Sequence, residues 1–571
     1  MLPQNENDFK YYIYIIFTTA ITCFIAIAIL ALYSYFFLQA NLFHLQEVLE
    51  LIKYFGFLLL HNRFNVITTY ILYTTATLFM IVFYVLYNKN PYTKTLRFSR
   101  FATFLDVKKM QPQVLKQDGY CLGSFKGTML KTNEPLGVLC VAPAGAGKTS
   151  GTVIPTILSC NKDSLVINDP KGELYDSTFK YRENLGSVFR IEWGQKMEEW
   201  NNKTTCWNPL DLENLPNNSI DRSKYIDMIT NILIKKSSGD TFWSNSGRKT
   251  LSAMMLFCIY SKELNTASSH IAEVKDKLAT IGVVEEDEDC GEKDPSQYGF
   301  IKLANLCKAF KENSNIPHEI LDRCYNVFSE LGSTSPNTLG SILATISSDL
   351  AVFNNESVRQ ITSKNNFSLQ NIRAINNKPI TVYLISPASE QELFGVLSGI
   401  FVETAYKYIT SEKLDIVKKS NIVRFILDEV AFFPSISAII DGPAIARGYK
   451  GSFLFVCQDL GQIKEKYGEN GLNTMMTNTA FKIILPQNND STAKRLASLS
   501  GQTEIAEWVN VGGKMQKQKK IVNLIESTDV MSLPSGKQII IVQNNAKTPI
   551  MCNIPFYFKD KTMLKQLRKL Q

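Results

Sequence analysis

An α/β fold with a parallel-rich central sheet organised around a phosphate-binding loop is the class that this 571-residue sequence predicts. Three observations predict it. An apolar run, Val138 to Val141, breaks into a loop of small residues, Ala142 to Gly147, followed by Lys148-Thr149 and an apolar helix start. Short continuous apolar runs recur along the chain and several are separated by amphipathic stretches, as expected for strands buried on both faces of a parallel sheet. One of those runs, Val423 to Leu427, ends in two acids, Asp428-Glu429.

The loop comes first because it has the most specific chemistry. Small residues allow backbone N–H groups to curl around phosphate oxygens, and the following helix N-terminus adds a positive dipole. Ala142, Pro143, Ala144, Gly145, Ala146, Gly147, Lys148, Thr149 and Ser150 are therefore the expected nucleotide-binding residues. Lys148 would reach the β- and γ-phosphates of ATP, and the Thr149 hydroxyl would ligate Mg²⁺. The pattern Gly-x4-Gly-Lys-Ser/Thr is broken once: Ala142 stands where the first glycine is usual.

The remaining strand candidates are Leu165 to Asn168, Val188 to Glu192, Ile380 to Ile385, Val423 to Leu427, Phe453 to Val456, Phe481 to Leu485 and Gln538 to Val542. Gln391 to Tyr408 is an intervening helical pattern. Residues 216–350 differ in character. They have almost no β-branched runs and carry amphipathic patterns such as Arg248 to Tyr260 and Ile301 to Phe310, so they read as an all-α domain inserted between two parts of the sheet domain, 101–215 and 351–571. The five acids Glu285 to Asp289 read as a solvated loop or a contact for a basic partner. Gly512 to Lys520 reads as a basic loop, and Lys559 to Gln571 as a basic amphipathic tail.

The first hundred residues form an expected membrane anchor. Tyr11 to Leu38 and Phe64 to Tyr87 contain no charged residue, and each exceeds the roughly 20 residues that cross a bilayer. Lys89, Lys94, Arg97 and Arg100 follow the second span without an acid among them, which keeps that side cytoplasmic. Two transmembrane helices, about 11–38 and 64–87, then enclose a short extracytoplasmic loop, 39–63, with the N-terminus and the large C-terminal part cytoplasmic. The 11 cysteines form no Cys-x-x-Cys pair and lie in apolar stretches, as reduced core residues of a cytosolic domain do. The 4 histidines are far apart, which argues against a histidine-built metal site. The net charge of +8 suits an anionic membrane surface and is compatible with nucleic acid.

Catalysis needs a carboxylate beside the phosphate loop. At the end of the Val423 to Leu427 strand, Asp428 would hold Mg²⁺ and Glu429 would orient the attacking water. Unpaired acids are expensive to bury, so a pair at a strand end points to function. Gln458, after the run Phe453 to Val456, either senses the γ-phosphate or caps the next helix.

Together these residues resemble the type IV secretion coupling proteins, the TraG/TraD-type membrane ATPases of conjugation and effector export. The most specific string is Asn168-Asp169-Pro170-Lys171-Gly172-Glu173-Leu174. Phe98 to Ala102 with Asp106 and Met110, Gly119 to Gly123, Pro155, Asn208-Pro209-Leu210, Phe242-Trp243, Leu427-Asp428-Glu429 and Gln458-Asp459-Leu460 also fit. The resemblance implies a RecA-like motor domain with an all-α insertion, a homo-hexameric ring at the bacterial inner membrane, and ATP with Mg²⁺ as cofactors. It implies as partners the secretion channel in the inner membrane and a cargo of relaxase-bound single-stranded DNA, effector proteins, or both. It also implies a trans-acting arginine at the subunit interface, for which Arg447 lies in the right region and Lys482 and Arg495 are alternatives. Asp169, Lys171 and Glu173 stand either near the nucleotide or in a structural turn. Two other functions remain open on the residues: a DNA translocase not tied to secretion, and a membrane receptor that uses nucleotide only as a switch.

Overall fold

The computed structural model describes residues 98–194, 204–235, 241–283, 294–373, 378–511 and 514–568. The spans expected at 11–38 and 64–87, the loop between them and the acidic run Glu285 to Asp289 lie outside the described residues. Among the described residues no helix is long and apolar enough to cross a membrane. The chain divides into two compact units, Arg100–Gly501 with Ile521–Gln571, and Met1–Ser99 with Gln502–Lys520.

Thirteen strands are formed among the described residues: β1 (Tyr120–Phe125), β2 (Thr128–Thr132), β3 (Gly137–Val141), β4 (Ser164–Asp169), β5 (Ser187–Glu192), β6 (Ile380–Ile385), β7 (Val423–Leu427), β8 (Gly451–Cys457), β9 (Thr479–Ile484), β10 (Gln502–Val511), β11 (Lys514–Asn523), β12 (Lys537–Val542) and β13 (Ile550–Asn553). Eleven make one sheet in the order β2-β1-β13-β12-β9-β3-β8-β7-β4-β6-β5. From β9 to β5 every neighbouring pair is parallel. Beyond β9 the sheet turns antiparallel through β12, β13, β1 and β2.

The central strands have the composition that this position demands. β3, β4, β6, β7, β8 and β9 are buried at every residue. Because side chains alternate across a strand, neighbours enter opposite cores. Leu139, Val141, Phe425 and Phe455 join one cluster, whereas Val138, Cys140, Ile426 and Val456 join the other. Each fully buried aliphatic or aromatic side chain contributes about 1.5–3 kcal/mol, so these strands commit the sheet to two covered faces. β5, at the edge, is mostly half-exposed.

The helices that position the site are α1 (Ile154–Ser159), preceded by a π-turn at Thr149–Val153, and α2 (Glu173–Leu185). Between β5 and β6 the described chain is helical: α3 (Ser219–Leu233), α4 (Thr241–Glu263), α5 (Ile271–Ala279), α6 (Pro295–Asn313), α7 (His318–Ser333), α8 (Pro336–Asp349) and α9 (Glu356–Ser363). Their sequences explain them. In α7, Ile320, Cys324, Val327, Phe328 and Leu331 recur at helical spacing and all are buried. Asp294 caps α6 in a capping box with Gln297, and Asn218 caps α3. Further on come α10 (Gln391–Ser411), α11 (Leu460–Asn478), α12 (Asp490–Ser498) and α13 (Lys561–Arg568).

Among the described residues β10 and β11 pair only with each other, and both lie in the smaller unit as far as Lys520. The stretch expected as a basic loop therefore starts a strand at Lys514. Two residues, Gly512-Gly513, separate the two strands in sequence, a short-range hairpin signal that outweighs the lysines. The Ser99 N–H donates to the Gln502 carbonyl at 2.6 Å, joining the chain that follows the expected spans to the first residue of β10.

Candidate nucleotide site

β3 delivers the chain to the carboxyl edge of the sheet between β8 and β9. Ala142 is fully buried and its N–H donates to the Cys457 carbonyl at 3.0 Å, prolonging the β3–β8 pairing by one residue. Positive φ occurs at Gly145 (78°) and Gly147 (88°) and not at Ala142. A methyl group is therefore tolerated at the first position of the loop, and the irregularity in the sequence pattern has a plain structural reason. The Ala146 N–H donates to the Pro143 carbonyl at 3.2 Å and the Gly151 N–H to the Gly147 carbonyl at 2.7 Å, curling the loop into the π-turn. Thr149 opens that turn, and the Ser150 hydroxyl lies 3.5 Å from the Gly147 carbonyl.

Two strands away, β7 carries its acids to the same edge. Lys148 Nζ donates to Glu429 Oε2 at 2.8 Å, and Gln458 Nε2, from just beyond β8, donates to the same oxygen at 2.7 Å. The pair is well covered, with side-chain exposures of 15% for Lys148 and 7% for Glu429. Burial works against the Lys148 charge, but Asp428 and Glu429 more than offset it and hold the ammonium above its usual range. Glu429 adopts a left-handed conformation (φ 62°, ψ 61°), a costly geometry for a non-glycine residue that aims its carboxylate back at the loop.

Asp428 is buried, and its Oδ1 has no hydrogen-bond partner among the described residues. Burial pushes its carboxyl up to about 6; Lys148 opposes this, while Glu429 and Asp169 add to it. The Asn168 side chain donates to the Asp428 carbonyl at 2.7 Å and fixes the strand end from β4. No local pattern marks Asn168 as a positioning residue, although it opens the most specific string of the sequence. Phe556 likewise carries no sequence signal: a Cβ on Gly147 would stand 2.6 Å from its ring, so it closes one side of the loop.

The Asp-Pro-Lys-Gly-Glu string divides. Asp169 is buried, accepts the Tyr175 N–H at 2.8 Å and so anchors the start of α2; burial pushes it up to about 6 against the neighbouring backbone N–H groups. Gly172 turns the chain with φ 76°. Lys171 and Glu173 point outward as an exposed pair 3.7 Å apart. Arg447 is exposed in the turn Ala446–Tyr449 before β8, at the amino edge of the parallel strands and away from Lys148. Its two alternatives are engaged elsewhere: Lys482 is buried in β9 and donates to the Thr479 carbonyl, while Arg495 pairs with Glu469 at 2.7 Å.

A phosphate loop, a lysine facing strand-end acids and a polar amide on the next strand, all at the carboxyl edge of a parallel sheet, define a P-loop nucleotide-binding site. Residues 101–571 match the family model described as "Type IV secretory system Conjugative DNA transfer", and the chain belongs to that family. It is 24% identical to protein VirD4 of Rhizobium radiobacter over 76% of this chain and 59% of that protein. It is likewise 24% identical to the conjugal transfer protein TraG of Escherichia coli, over 67% of this chain and 58% of that one. The chain thus spans about three fifths of the length of these relatives. Its fold is that of the conjugative coupling protein TrwB, with a TM-score of 0.58 at 14% identity, covering 81% of this chain and 94% of that structure. A second TrwB structure, in complex with a non-hydrolysable ATP analogue, aligns with a TM-score of 0.57 at 14% identity over 82% of this chain and 95% of that one.

Proposed function

We propose that this chain is a membrane-anchored ATPase that receives cargo, relaxase-bound single-stranded DNA or effector proteins, and feeds it to a type IV secretion channel. The observation that carries the reading is the cluster in which Lys148 of the phosphate loop meets the buried acids Asp428 and Glu429 and the half-buried Gln458. The residues fit MgATP. The orphaned buried Oδ1 of Asp428 supplies the acceptor that a hydrated cation needs, the two positive-φ glycines open the loop for phosphate oxygens, and Lys148 already sits among anionic oxygens. Thr149 and Asp428 would hold Mg²⁺, which neutralises phosphate charge when bound.

Glu429 and Lys148 restrain each other in the structure described. Phosphate entry gives Lys148 a second anionic partner and frees Glu429 Oε2 to accept a proton from water, with Gln458 holding the carboxylate in place. The Gln458 contact also links this site to the strand end of β8 and the start of α11, a route by which loss of the γ-phosphate moves neighbouring elements. The two expected spans at 11–38 and 64–87 supply the anchor in the bacterial inner membrane, with both ends cytoplasmic. A ring of identical subunits, most simply a hexamer, would bring Arg447 to a neighbour's nucleotide; its exposure and lack of an ion pair among the described residues support that use.

The test is phosphate release by the purified full-length chain with and without single-stranded DNA, alongside cargo transfer in cells. Lys148→Ala is expected to abolish both hydrolysis and transfer. Normal transfer by that variant overturns the motor reading. Hydrolysis without any transfer phenotype favours a translocase unconnected with secretion, and nucleotide binding without turnover favours a switch.

A further inference from the structure

We propose that the β10–β11 ribbon is a membrane-surface contact that lies against the anionic lipid headgroups of the leaflet from which the cytoplasmic part emerges. The proposal rests on the membrane-anchor reading given above.

A two-stranded ribbon alone is marginal in water and needs a covering surface. Among the described residues β10 and β11 pair with no other strand, and Ile505, Trp508 and Val509 on β10 are exposed, Trp508 at 64%. The ribbon's charge suits an anionic cover. Residues 502–523 hold four lysines against two glutamates; Lys519 and Lys520 are both exposed, and Lys519 also pairs with Glu504 at 2.6 Å. A tryptophan beside lysines is the composition that settles at headgroup level, the ring in the interface and the ammonium groups among lipid phosphates.

The place of the ribbon in the chain selects the lipid surface over other anionic partners. The Ser99 N–H bonds the Gln502 carbonyl at 2.6 Å, and Ser99 follows the end of the second expected span, Tyr87, by twelve residues. Twelve residues reach at most about 40 Å, and Lys89, Lys94 and Arg97 within them favour the same anionic surface. Single-stranded DNA also prefers aromatic rings with lysines, but it needs a groove and successive stacking platforms; β10 offers one exposed tryptophan and no second aromatic ring.

The test uses the full-length chain in nanodiscs of phosphatidylcholine alone and of phosphatidylcholine mixed with phosphatidylglycerol, with amide hydrogen exchange read on peptides covering 502–511. Exchange is expected to slow about tenfold in the anionic discs, because lysines near an anionic surface are held there. The combined variant Trp508→Ser, Lys519→Glu, Lys520→Glu should erase the difference while leaving basal ATP hydrolysis in detergent unchanged. Equal exchange in the two lipids overturns the proposal. So does protection produced in detergent by a single-stranded oligonucleotide, or by raising protein concentration, without any lipid effect. Extraction at alkaline pH separates the two levels: release of the chain overturns the anchor and with it this placement, whereas a retained chain with lipid-independent exchange overturns the ribbon contact alone.

Discussion

Replacing Glu429 by Gln removes one charge from the centre of the site and keeps its shape. In the folded chain Glu429 Oε2 accepts from Lys148 at 2.8 Å and from Gln458 at 2.7 Å. Breaking a buried ion pair by removing one partner costs about 3–5 kcal/mol. Here the loss is smaller, because Asp428 still holds the Lys148 charge and the amide preserves a neutral contact; about 1–2 kcal/mol of apo stability is expected to disappear. Nucleotide binding should survive or tighten, since Lys148 no longer has to leave a carboxylate. Turnover should fall by about 10²–10⁴, the usual contribution of a general base. The assay pairs phosphate release with thermal unfolding, each with and without MgATP; saturating nucleotide should recover the lost stability by mass action. Hydrolysis at the wild-type rate would refute the role given to Glu429. A variant unable to bind nucleotide would show that its charge organises the loop and does not act on water.

Gly147→Ala forces a side chain onto φ 88° and into the Phe556 ring at 2.6 Å; a loss of about 1–3 kcal/mol and of nucleotide affinity is expected in calorimetry. Ala142→Gly restores the usual loop pattern yet should leave nucleotide affinity unchanged, because Ala142 is buried and not at positive φ. Lys482, buried without a carboxylate partner among the described residues, has its pKa lowered to about 8 by burial. The unfolded chain holds that proton more tightly, so stability rises with pH between about 8 and 10.5, and Lys482→Met should stabilise the protein by about 1–3 kcal/mol at pH 7, measured by denaturant unfolding. Asp428 and Asp169 are both pushed up to about 6. They hold protons longer than the unfolded chain does, so apo stability falls as pH rises from about 4 to 6, whereas Mg²⁺-dependent nucleotide binding weakens as pH drops below about 6, close to tenfold by pH 5.

The strands of the parallel half were readable because burial on both faces leaves an unbroken apolar run, as in β6 and β7, whose ends match the runs Ile380 to Ile385 and Val423 to Leu427 residue for residue. β1 and β2 went unread because glycine and polar residues interrupt them, Tyr-Cys-Leu-Gly-Ser-Phe and Thr-Met-Leu-Lys-Thr. β13 is only four residues long and owes its place to pairing with β12 and β1. Among the described side chains of β10 and β11 none is buried, so no hydrophobic period marks them.

In the site, residue type and order alone selected Lys148, Thr149, Asp428 and Glu429, since phosphate binding imposes a local pattern on contiguous residues. Bringing Lys148 to Glu429, 281 positions later, depends on the parallel order β3-β8-β7, which no local pattern encodes. The tertiary structure also divided the Asp-Pro-Lys-Gly-Glu string, turning Asp169 inward to hold α2 and Lys171 with Glu173 outward. It excused Ala142, because backbone pairing with Cys457 and the absence of a positive φ are properties of the folded sheet. Composition determines what can be buried and which chemistry is present. Which of those groups meet is decided by strand order, through contacts between residues far apart in the chain.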